Sequence, residues 1–312
     1  MLKATRDGFG AAMRQAAEKD KNLMVLCADV SESLRLNEFK KQFPEQYLEL
    51  GVSEQNMIGV AAGLASRGHT VVVSSFATFN PGRNWEQIRV SLCEQKLNVK
   101  IVGGHAGLAT GPDGATHQAL EDIALMSVLP EMKVVAPADY REAKEAALAM
   151  LSIDGPVYLR LSREPAAEIE QDGGFQFGQA RKLTEGADAT IMAYGLTLPL
   201  ALQAAKELED FQFQVRVLNF STIKPLDEHS LKLAVQETKA IVVLEEAEKI
   251  GGFGSMVATY LGENCLAPLE IVAVNNSFGQ SGKKGELFDH YGLTVEKIKT
   301  QVLRAIERKL AL

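Results

Sequence analysis

The sequence has few cysteines and no excess of positive charge. Its three cysteines, Cys27, Cys93 and Cys265, lie far apart and form no Cys-x-x-Cys pair. Such a sparse and odd set indicates a reducing compartment and argues against a disulfide framework or a zinc site. The 33 Lys and Arg residues stand against 40 Asp and Glu residues, and the net charge is −7. This balance disfavours a general nucleic-acid or anionic-membrane surface.

Long apolar runs are absent as well. No run approaches the roughly 18 residues that a membrane span requires. The first 20 residues form an amphipathic helical pattern with acidic positions, without the apolar core of a signal peptide. The 312 residues suffice for two domains, and the hydrophobic fraction of 46% is typical of soluble globular proteins. A cytoplasmic enzyme or enzyme subunit is the default expectation.

Short apolar runs alternate regularly with longer segments of helical period. Runs of about five residues between helices are typical of a parallel sheet covered on both faces, so the sequence predicts an α/β fold with two doubly wound domains and mainly parallel sheets. The predicted strands are 23–27, 70–74, 99–103, 133–136, 156–161, 189–194, 214–218, 240–244 and 269–273. The predicted helices lie near 7–19, 54–67, 84–94, 120–129, 140–151, 198–209, 227–237, 254–261 and 295–309.

One stretch interrupts this alternation. Residues 162–186 contain Pro165, several glycines and several acidic residues, a composition typical of a linker. We therefore expect a first domain over residues 1–165, a linker over 166–186 and a smaller second domain over 187–312.

Polar and aromatic residues stand where the first three long predicted strands end. They are Asp29, Ser33, Phe76, Phe79 and His105. Because open α/β sheets bind ligands beyond the carboxyl ends of their strands, this convergence predicts a ligand site at that edge of the sheet.

Residues 50–61 place one acidic residue, Glu54, at the start of a helix that is otherwise small and apolar. Ser53 is placed to cap this helix, and the macrodipole favours an acid in the first turn. A helix start therefore explains this segment alone about as well as a functional role does.

Glu54, the Phe76-Ala77-Thr78-Phe79 run and residues 105–118 together resemble the pyrimidine-binding domain of transketolases. The last of these segments carries Gly-Pro-Asp-Gly-Ala-Thr-His-Gln, which is its most specific part. Residues 187–312 are similar to the transketolase C-terminal domain. The resemblance covers nearly the whole chain and is to the C-terminal subunit of split transketolases. It implies transfer of a two-carbon ketol unit between sugar phosphates with thiamine diphosphate as cofactor.

The resemblance implies that Glu54 hydrogen-bonds the aminopyrimidine of the cofactor and so promotes loss of the thiazolium proton. A poorly solvated carboxyl group suits this role because burial favours its protonated form. Phe79 corresponds to the residue that stacks on the aminopyrimidine, with Phe76 as its neighbour in the pocket. Without the rest of the motif, two core phenylalanines would be the simpler interpretation. Gly82 stands where full-length transketolases have a further aromatic residue, so the pocket wall must differ there.

Two histidines and one acid are implied to handle the sugar. His105 and His117 correspond to histidines that contact the sugar and help to move protons, a role suited to imidazole because it titrates near neutrality. Asp113 corresponds to the acid that hydrogen-bonds a hydroxyl of the incoming aldose. A lone histidine is more often structural. Here two of the five histidines flank the Gly-x-Asp-Gly segment, which weakens that interpretation.

Phosphate recognition requires guanidinium groups and hydroxyls. Arg163, Arg6 and Ser33 correspond to the phosphate-binding residues of the family, although each alone would more often be a surface ion pair or a cap. Asp29 is implied to help hold the cofactor or a neighbouring subunit.

The metal motif of thiamine diphosphate enzymes is missing. The chain contains no Gly-Asp-Gly, so the resemblance implies that Mg²⁺ and the diphosphate are bound by another polypeptide. That partner would be the N-terminal transketolase subunit, in a heterotetramer with two copies of each chain. The glycine-rich residues 249–255 could bind an anion, but tight strand–helix packing is favoured. Residues 278–282 resemble a family loop with a structural role.

Three alternatives share this architecture. A 1-deoxyxylulose-5-phosphate synthase has an arginine at the place of His105, and a 2-oxo acid dehydrogenase beta chain lacks the Gly-x-Asp-Gly-x-Thr-His-Gln set. A non-catalytic scaffolding paralogue would be expected to lose Glu54, His105 or His117, which are all present. A transketolase that acts on a branched or sulfonated sugar would have much the same sequence features.

Overall fold

The computed structural model describes residues 2–169 and 173–311 and contains two large, mainly parallel sheets and a two-stranded antiparallel one. The strands are β1 (Lys3–Ala4), β2 (Leu23–Cys27), β3 (Tyr47–Glu49), β4 (Thr70–Phe76), β5 (Val99–Gly104), β6 (Lys133–Val135), β7 (Val157–Arg160), β8 (Pro165–Ala166), β9 (Arg181–Thr184), β10 (Ala189–Ala193), β11 (Val215–Asn219), β12 (Thr222–Lys224), β13 (Ile241–Glu248) and β14 (Leu269–Val274).

The described chain contains eleven α-helices, of which the longer ones cover the faces of the sheets. They are α1 (Thr5–Lys19), α2 (Asn37–Gln42), α3 (Glu54–Ser66), α4 (Trp85–Gln87), α5 (Asp122–Ser127), α6 (Tyr140–Leu151), α7 (Leu198–Glu209), α8 (Glu228–Thr238), α9 (Phe253–Asn264), α10 (Lys284–His290) and α11 (Val295–Leu310). A π-helix over Ile88–Cys93 continues α4, and short 3-10 helices span Pro44–Gln46, Leu108–Asp113 and Gly195–Thr197. None of the helices in the described chain is long and apolar enough to cross a membrane.

The first sheet has seven strands in the order β12-β6-β7-β5-β4-β2-β3. All neighbours are parallel except β12, which pairs antiparallel with β6 at one edge. Alternate residues of each strand point to opposite faces, and both faces are apolar because helices cover both. On β4, Val71 and Val73 pack with α3 and α5, whereas Val72 packs with α1 and α6.

The second sheet has five strands in the order β14-β13-β10-β11-β9, of which only β9 is antiparallel to its neighbour. β9 lies inside the stretch 166–186 that the sequence predicts as a linker, so part of that stretch belongs to the second sheet. The antiparallel strand β12 lies in the second half of the chain but extends the first sheet. The two halves are therefore joined by strand pairing as well as by packing.

The predicted fold class is confirmed: the chain forms two α/β units whose sheets are mainly parallel. Each of the nine predicted strands corresponds to a strand of the structure. The short strands β1, β3, β8, β9 and β12 and the helices α2 and α10 were not predicted. The carboxyl ends of β2, β4 and β5, which lie next to one another in the first sheet, position the candidate site.

Candidate active site

Glu54 is the first residue of α3, and its side chain is buried with only 4% exposure. Its carboxylate accepts a hydrogen bond from the Ser75 hydroxyl at 3.3 Å. The guanidinium of Arg83 lies 3.2 Å and 3.4 Å from the two carboxylate oxygens. The capping role predicted for Ser53 is wrong: its hydroxyl accepts no N–H group of α3 and donates to the carbonyl of Leu50. Helix α3 therefore presents Glu54 from a first turn that no side chain caps.

Arg83 also covers an aromatic face of the site. Its guanidinium carbon lies 3.9 Å from the centroid of the Phe79 ring, which is the geometry of a cation–π contact. Neither Arg83 nor Ser75 was assigned a role from the sequence. For Arg83 the available signal was a basic side chain one helical turn after a predicted stacking residue. For Ser75 there was no signal beyond its place at the end of a strand.

Steric crowding by the backbone explains why residue 82 is a glycine. A Cβ atom on Gly82 would lie 1.9 Å from the carbonyl oxygen of Thr78, so this backbone accepts no side chain there. The aromatic residue that full-length transketolases have at this point is therefore excluded by the turn itself. The turn instead contributes the side chain of Arg83 to the pocket.

Two phenylalanines and two histidines form a continuous wall beside Glu54. The ring centroids of Phe76 and His105 are 4.3 Å apart, and those of Phe79 and His117 are 5.3 Å apart in an edge-to-face arrangement. Phe76 and Phe79 are themselves 6.3 Å apart. The structure thus brings together five of the six residues that the sequence assigned to the cofactor and the proton steps, all except Asp29. Such edge-to-face contacts hold the rings in fixed orientations.

His105 is buried, and its Nε2 lies 3.2 Å from the guanidinium of Arg6. Burial lowers the pKa of His105 to about 3, with a further contribution from the positive charge of Arg6. The expected titration near neutrality is therefore wrong for this residue, whose imidazole is neutral at physiological pH. Since Arg6 can only donate, Nε2 accepts and the ring proton belongs on Nδ1. That Nδ1 is buried without a partner among the described residues.

The predicted phosphate-binding residues lie in two clusters. In the first, Arg6 donates from Nη1 to the carbonyl of Ser33 at 3.1 Å. Arg35 lies beside it, held by Asp7 at 2.7 Å, and the nearby charge of Arg35 contributes to lowering the pKa of Arg6 after the larger effect of burial. Arg35 is a cation of this region that was not predicted from the sequence.

The second cluster contains Arg163, whose Nη1 lies 3.2 Å from Oδ2 of Asp113 and 3.2 Å from the carbonyl of Thr110. The predicted phosphate ligand and the predicted sugar ligand thus form an ion pair. Both side chains are more than a third exposed, so a substrate can reach them.

The second half of the chain supports the loop that carries Asp113. The side-chain amide of Gln118 donates to the carbonyls of Gly111 and Gln280. The hydroxyl of Ser281 donates to the carbonyl of Pro112 at 2.7 Å. Residues 278–282 therefore hold the loop against the second domain.

Glu246 supports the same loop from β13. It accepts the backbone N–H of Ala109 at 2.6 Å, and burial raises its pKa to about 7. Gly107 has φ of 76°, and a Cβ there would lie 2.5 Å from the carboxylate of Glu246. The glycine thus permits both the left-handed turn and the close approach of this buried carboxyl group.

Two further predictions concern residues outside this cluster. Asp29 is exposed, and within the described residues only its backbone N–H is bonded, to the carboxylate of Glu49 at 2.8 Å. In the glycine-rich residues 249–255, the N–H groups of Phe253 and Gly254 donate to Glu245. The first turn of α9 is therefore satisfied by a carboxylate of this chain, which agrees with the packing interpretation.

The donor set suits one half of a thiamine diphosphate site. A buried carboxyl group beside an aromatic face can hold a planar nitrogen heterocycle, with Glu54 at its edge and Phe79 on its face. The described residues contain no group of three or more His, Cys, Asp and Glu side chains that could hold a metal ion. The pyrimidine half of the cofactor therefore fits the side chains of this chain.

Comparison with known families gives two matches that together span most of the chain. Residues 2–167 match the transketolase pyrimidine binding domain. Residues 178–298 match the transketolase C-terminal domain.

Several proteins are similar to the chain over nearly its full length. A putative transketolase C-terminal section from Methanocaldococcus jannaschii is 40% identical over 99% of this chain and 98% of its own. A 6-deoxy-6-sulfo-D-fructose transketolase subunit from Clostridium sp. (strain MSTE9) is 39% identical over 97% of this chain and 95% of its own. The solved structure of a split-gene transketolase, an inactive beta4 tetramer, superposes with a TM-score of 0.92 at 41% identity and covers 98% of this chain and 99% of its own.

Proposed function

Because the chain belongs to the transketolase family and matches the C-terminal subunits of its split members, we propose that it supplies one half of an active site that transfers a two-carbon ketol unit between sugar phosphates. The observation that carries the proposal is the buried carboxylate of Glu54, which Arg83 links to the ring of Phe79. Transketolases depend on thiamine diphosphate, and this pair fits its aminopyrimidine.

When bound, thiamine diphosphate supplies a carbanion that accepts and releases the ketol unit. Glu54 holds the edge of the aminopyrimidine through a hydrogen bond to a ring nitrogen. Phe79 provides the stacking face, and Phe76 closes the pocket beside it. The apolar residues Met57 and Ile58 of the same helix are buried, so the surroundings of Glu54 are poorly solvated.

The sugar lies at the histidine side of the wall that Phe76, Phe79, His105 and His117 form. His117 is partly exposed and accompanies Phe79, so its imidazole is accessible to a substrate hydroxyl and can exchange a proton with it. His105 stays neutral and donates from Nδ1, which suits hydrogen bonding to a sugar oxygen. Asp113 accepts a hydrogen bond from a hydroxyl of the acceptor aldose.

The phosphate group is bound by arginines. Arg163 and Arg6 provide guanidinium forks, which match phosphate oxygens in geometry and charge, and the turn at Ser33 lies beside Arg6. To bind the phosphate, Arg163 must give up its ion pair with Asp113. These two clusters support phosphorylated sugars as the substrates.

The diphosphate and Mg²⁺ require a second chain. The absence of a metal-binding group from residues 2–169 and 173–311, and of Gly-Asp-Gly from the sequence, supports an N-terminal partner subunit that provides them. We assign the active form to a heterotetramer with two copies of each chain, in which exposed Asp29 faces the cofactor or the partner. The similar split-gene transketolase, solved as an inactive beta4 tetramer, supports this need for a partner.

A ketol-transfer assay tests the proposal. The chain is purified with the Gly-Asp-Gly-containing subunit that accompanies it and is assayed with thiamine diphosphate, Mg²⁺, xylulose 5-phosphate and ribose 5-phosphate. The isolated chain serves as the comparison. We expect activity only from the two-chain complex, and Glu54→Ala in that complex should abolish turnover while leaving the fold and partner binding intact. Activity of the isolated chain, or full activity of Glu54→Ala, would refute the proposal.

A sulfonated sugar is the second candidate substrate. The relative named as a 6-deoxy-6-sulfo-D-fructose transketolase subunit is 39% identical to this chain, and a sulfonate offers oxygens to the same arginines. Turnover of 6-deoxy-6-sulfofructose without turnover of xylulose 5-phosphate would assign the chain to this substrate class.

A further inference from the structure

Arg83 covers both surfaces that the proposed function assigns to the aminopyrimidine. Its guanidinium carbon lies 3.9 Å from the centroid of the Phe79 ring. Its Nη1 lies 3.2 Å from Oε2 and 3.4 Å from Oε1 of Glu54. The aromatic face and the carboxylate edge are therefore both engaged by one planar, nitrogen-rich group of the chain itself.

The contact with Phe79 leaves no room for a second planar group on the same face. Carbon atoms of stacked groups are in optimal contact at about 3.5–4.0 Å, and the guanidinium already lies at that distance. A heterocycle can therefore occupy this face of Phe79 only after Arg83 has left it.

The electrostatics explain why Arg83 lies here. The Glu54 side chain is 4% exposed, and a buried carboxylate without an opposite charge is costly. Ser75 offers it a single hydrogen bond at 3.3 Å. The Arg83 side chain is 49% exposed, so it reaches the carboxylate from the solvent side and can withdraw without disturbing the core.

We propose that Arg83 is the gate of the pyrimidine site: in the cofactor-free chain its guanidinium occupies the place of the aminopyrimidine on Phe79 and Glu54, and the cofactor displaces it. The proposal rests on the function assigned above. Because only the open fraction of the protein binds, closure by Arg83 weakens the apparent affinity for thiamine diphosphate. Removing the side chain should therefore strengthen binding.

The affinity of the two-chain complex for thiamine diphosphate, measured by titration calorimetry with Mg²⁺ present, tests the gate. Arg83→Ala should bind the cofactor about tenfold more tightly than the wild type because no side chain has to be displaced. Arg83→Lys keeps a cation near Glu54 but offers no plane to Phe79, so its affinity should lie between the two.

The matched control is Arg67→Ala. Arg67 is exposed at the C-terminal end of α3, the helix that begins with Glu54, so the variant removes the same charge away from the pocket. Its cofactor affinity should equal that of the wild type. Unchanged or weaker binding by both Arg83→Ala and Arg83→Lys would overturn the gate. If Arg83→Ala fails to fold, Arg83→Lys alone decides, and equal or weaker binding than the wild type contradicts the proposal.

A structure of the complex with thiamine diphosphate provides a readout that is independent of affinity. We expect the Arg83 guanidinium to have left Phe79 and the ring to contact Glu54. A bound cofactor with Arg83 still stacked on Phe79 would overturn the gate but leave the ketol-transfer function in place. If neither the wild-type complex nor the Arg83→Ala complex binds thiamine diphosphate, the proposed function itself is overturned.

Discussion

At the scale of single residues, the site is built from charged groups that this chain already pairs with one another. Arg163 pairs with Asp113, and Arg83 pairs with Glu54. The pair with Asp113 keeps the long side chain of Arg163 in place before a ligand arrives, which lowers the ordering cost of binding. A ligand must then exchange these partners, so each pair contributes to selectivity as well as to position.

Arg163→Ala should raise KM mainly for phosphorylated substrates. A hydrogen bond to a charged group contributes about 1.5–3 kcal/mol, and Arg163 is partly exposed, so an increase of about tenfold in KM is expected. Steady-state kinetics with a sugar phosphate and its unphosphorylated counterpart provide the measurement. Arg67→Ala serves again as the charge-matched control. An equal effect on both substrates would remove the phosphate assignment.

His105→Gln should make stability less sensitive to acid. The pKa of His105 is about 3 in the folded chain against 6.5 for an unperturbed histidine, so between these values the unfolded chain binds more protons. Stability therefore rises with pH through this window, and the contribution of His105 is complete above pH 6.5. Between pH 7 and pH 5 this residue lowers the free energy of unfolding of the wild type by about 2 kcal/mol. The variant should not show this loss.

Urea unfolding at these two pH values measures the difference. The control is His290→Gln, because His290 is exposed on α10. If His105→Gln loses as much stability on acidification as the wild type, the imidazole is not held neutral by its surroundings.

At the scale of elements, helix α9 depends on a carboxylate from a neighbouring strand. Its N-cap residue, Gly252, has no side chain. The N–H groups of Phe253 and Gly254 donate to the two oxygens of Glu245 on β13, at 2.8 Å and 2.9 Å. Burial raises the pKa of Glu245 to about 7. The strand thus provides the cap that the local sequence lacks.

Glu245→Gln should destabilise the protein although it conserves shape. Both carboxylate oxygens accept backbone N–H groups, so an amide places its NH₂ against one of these donors. A buried donor left without an acceptor costs about 1–3 kcal/mol. Chemical denaturation of the variant beside Glu263→Gln, at the exposed end of the same helix, measures the cost. A loss no larger than that of the control would show that the carboxylate does not cap α9.

The long elements of this fold are predictable because their pattern is local. The strand β2 is a continuous apolar run and β4 contains three consecutive valines, as expected of strands buried on both faces. The strand β12 has three residues and pairs with β6, far away in the sequence, so no local pattern indicates it. The predicted helix 84–94 contains a π-helical turn, for which local spacing gives no rule either.

The site was predictable in its composition and less so in its geometry. The motif placed Glu54, Phe79 and His105 together, and the structure agrees. The position of Arg83 depends on the direction of one flexible side chain and on the buried charge that attracts it. The neutral state of His105 likewise depends on burial and on Arg6, which is distant in the sequence.

At the scale of the whole molecule, the two halves share a hydrophobic core beside further separate clusters. A single cluster of buried residues contains Met57 and Tyr158 from the first half together with Phe220 and Phe253 from the second. The strand β12 adds to this by extending the first sheet from the second half. We therefore expect the halves to unfold together, so that fluorescence of Trp85, the single tryptophan, and circular dichroism report one transition.

Arg160 is the charged group on which this joint core depends. It is 7% exposed on β7 and pairs with Asp122, which is 1% exposed, at 2.9 Å. Its Nη2 also donates to the backbone carbonyl of Glu246, at 2.9 Å, so one side chain bonds to both halves. Because both members of the ion pair are buried, the loss of one leaves the other without compensation.

Arg160→Met should therefore cost about 3–5 kcal/mol, the usual effect of breaking a buried ion pair. The double variant Arg160→Met with Asp122→Asn removes the stranded charge and should recover part of this loss. Denaturant unfolding followed by Trp85 fluorescence and by circular dichroism measures both, and the two probes should shift together because Arg160 bonds to both halves. Lys41→Met, which breaks an exposed pair with Glu38, should cost less than about 1 kcal/mol. If Arg160→Met costs no more than this control, Arg160 does not hold the halves together.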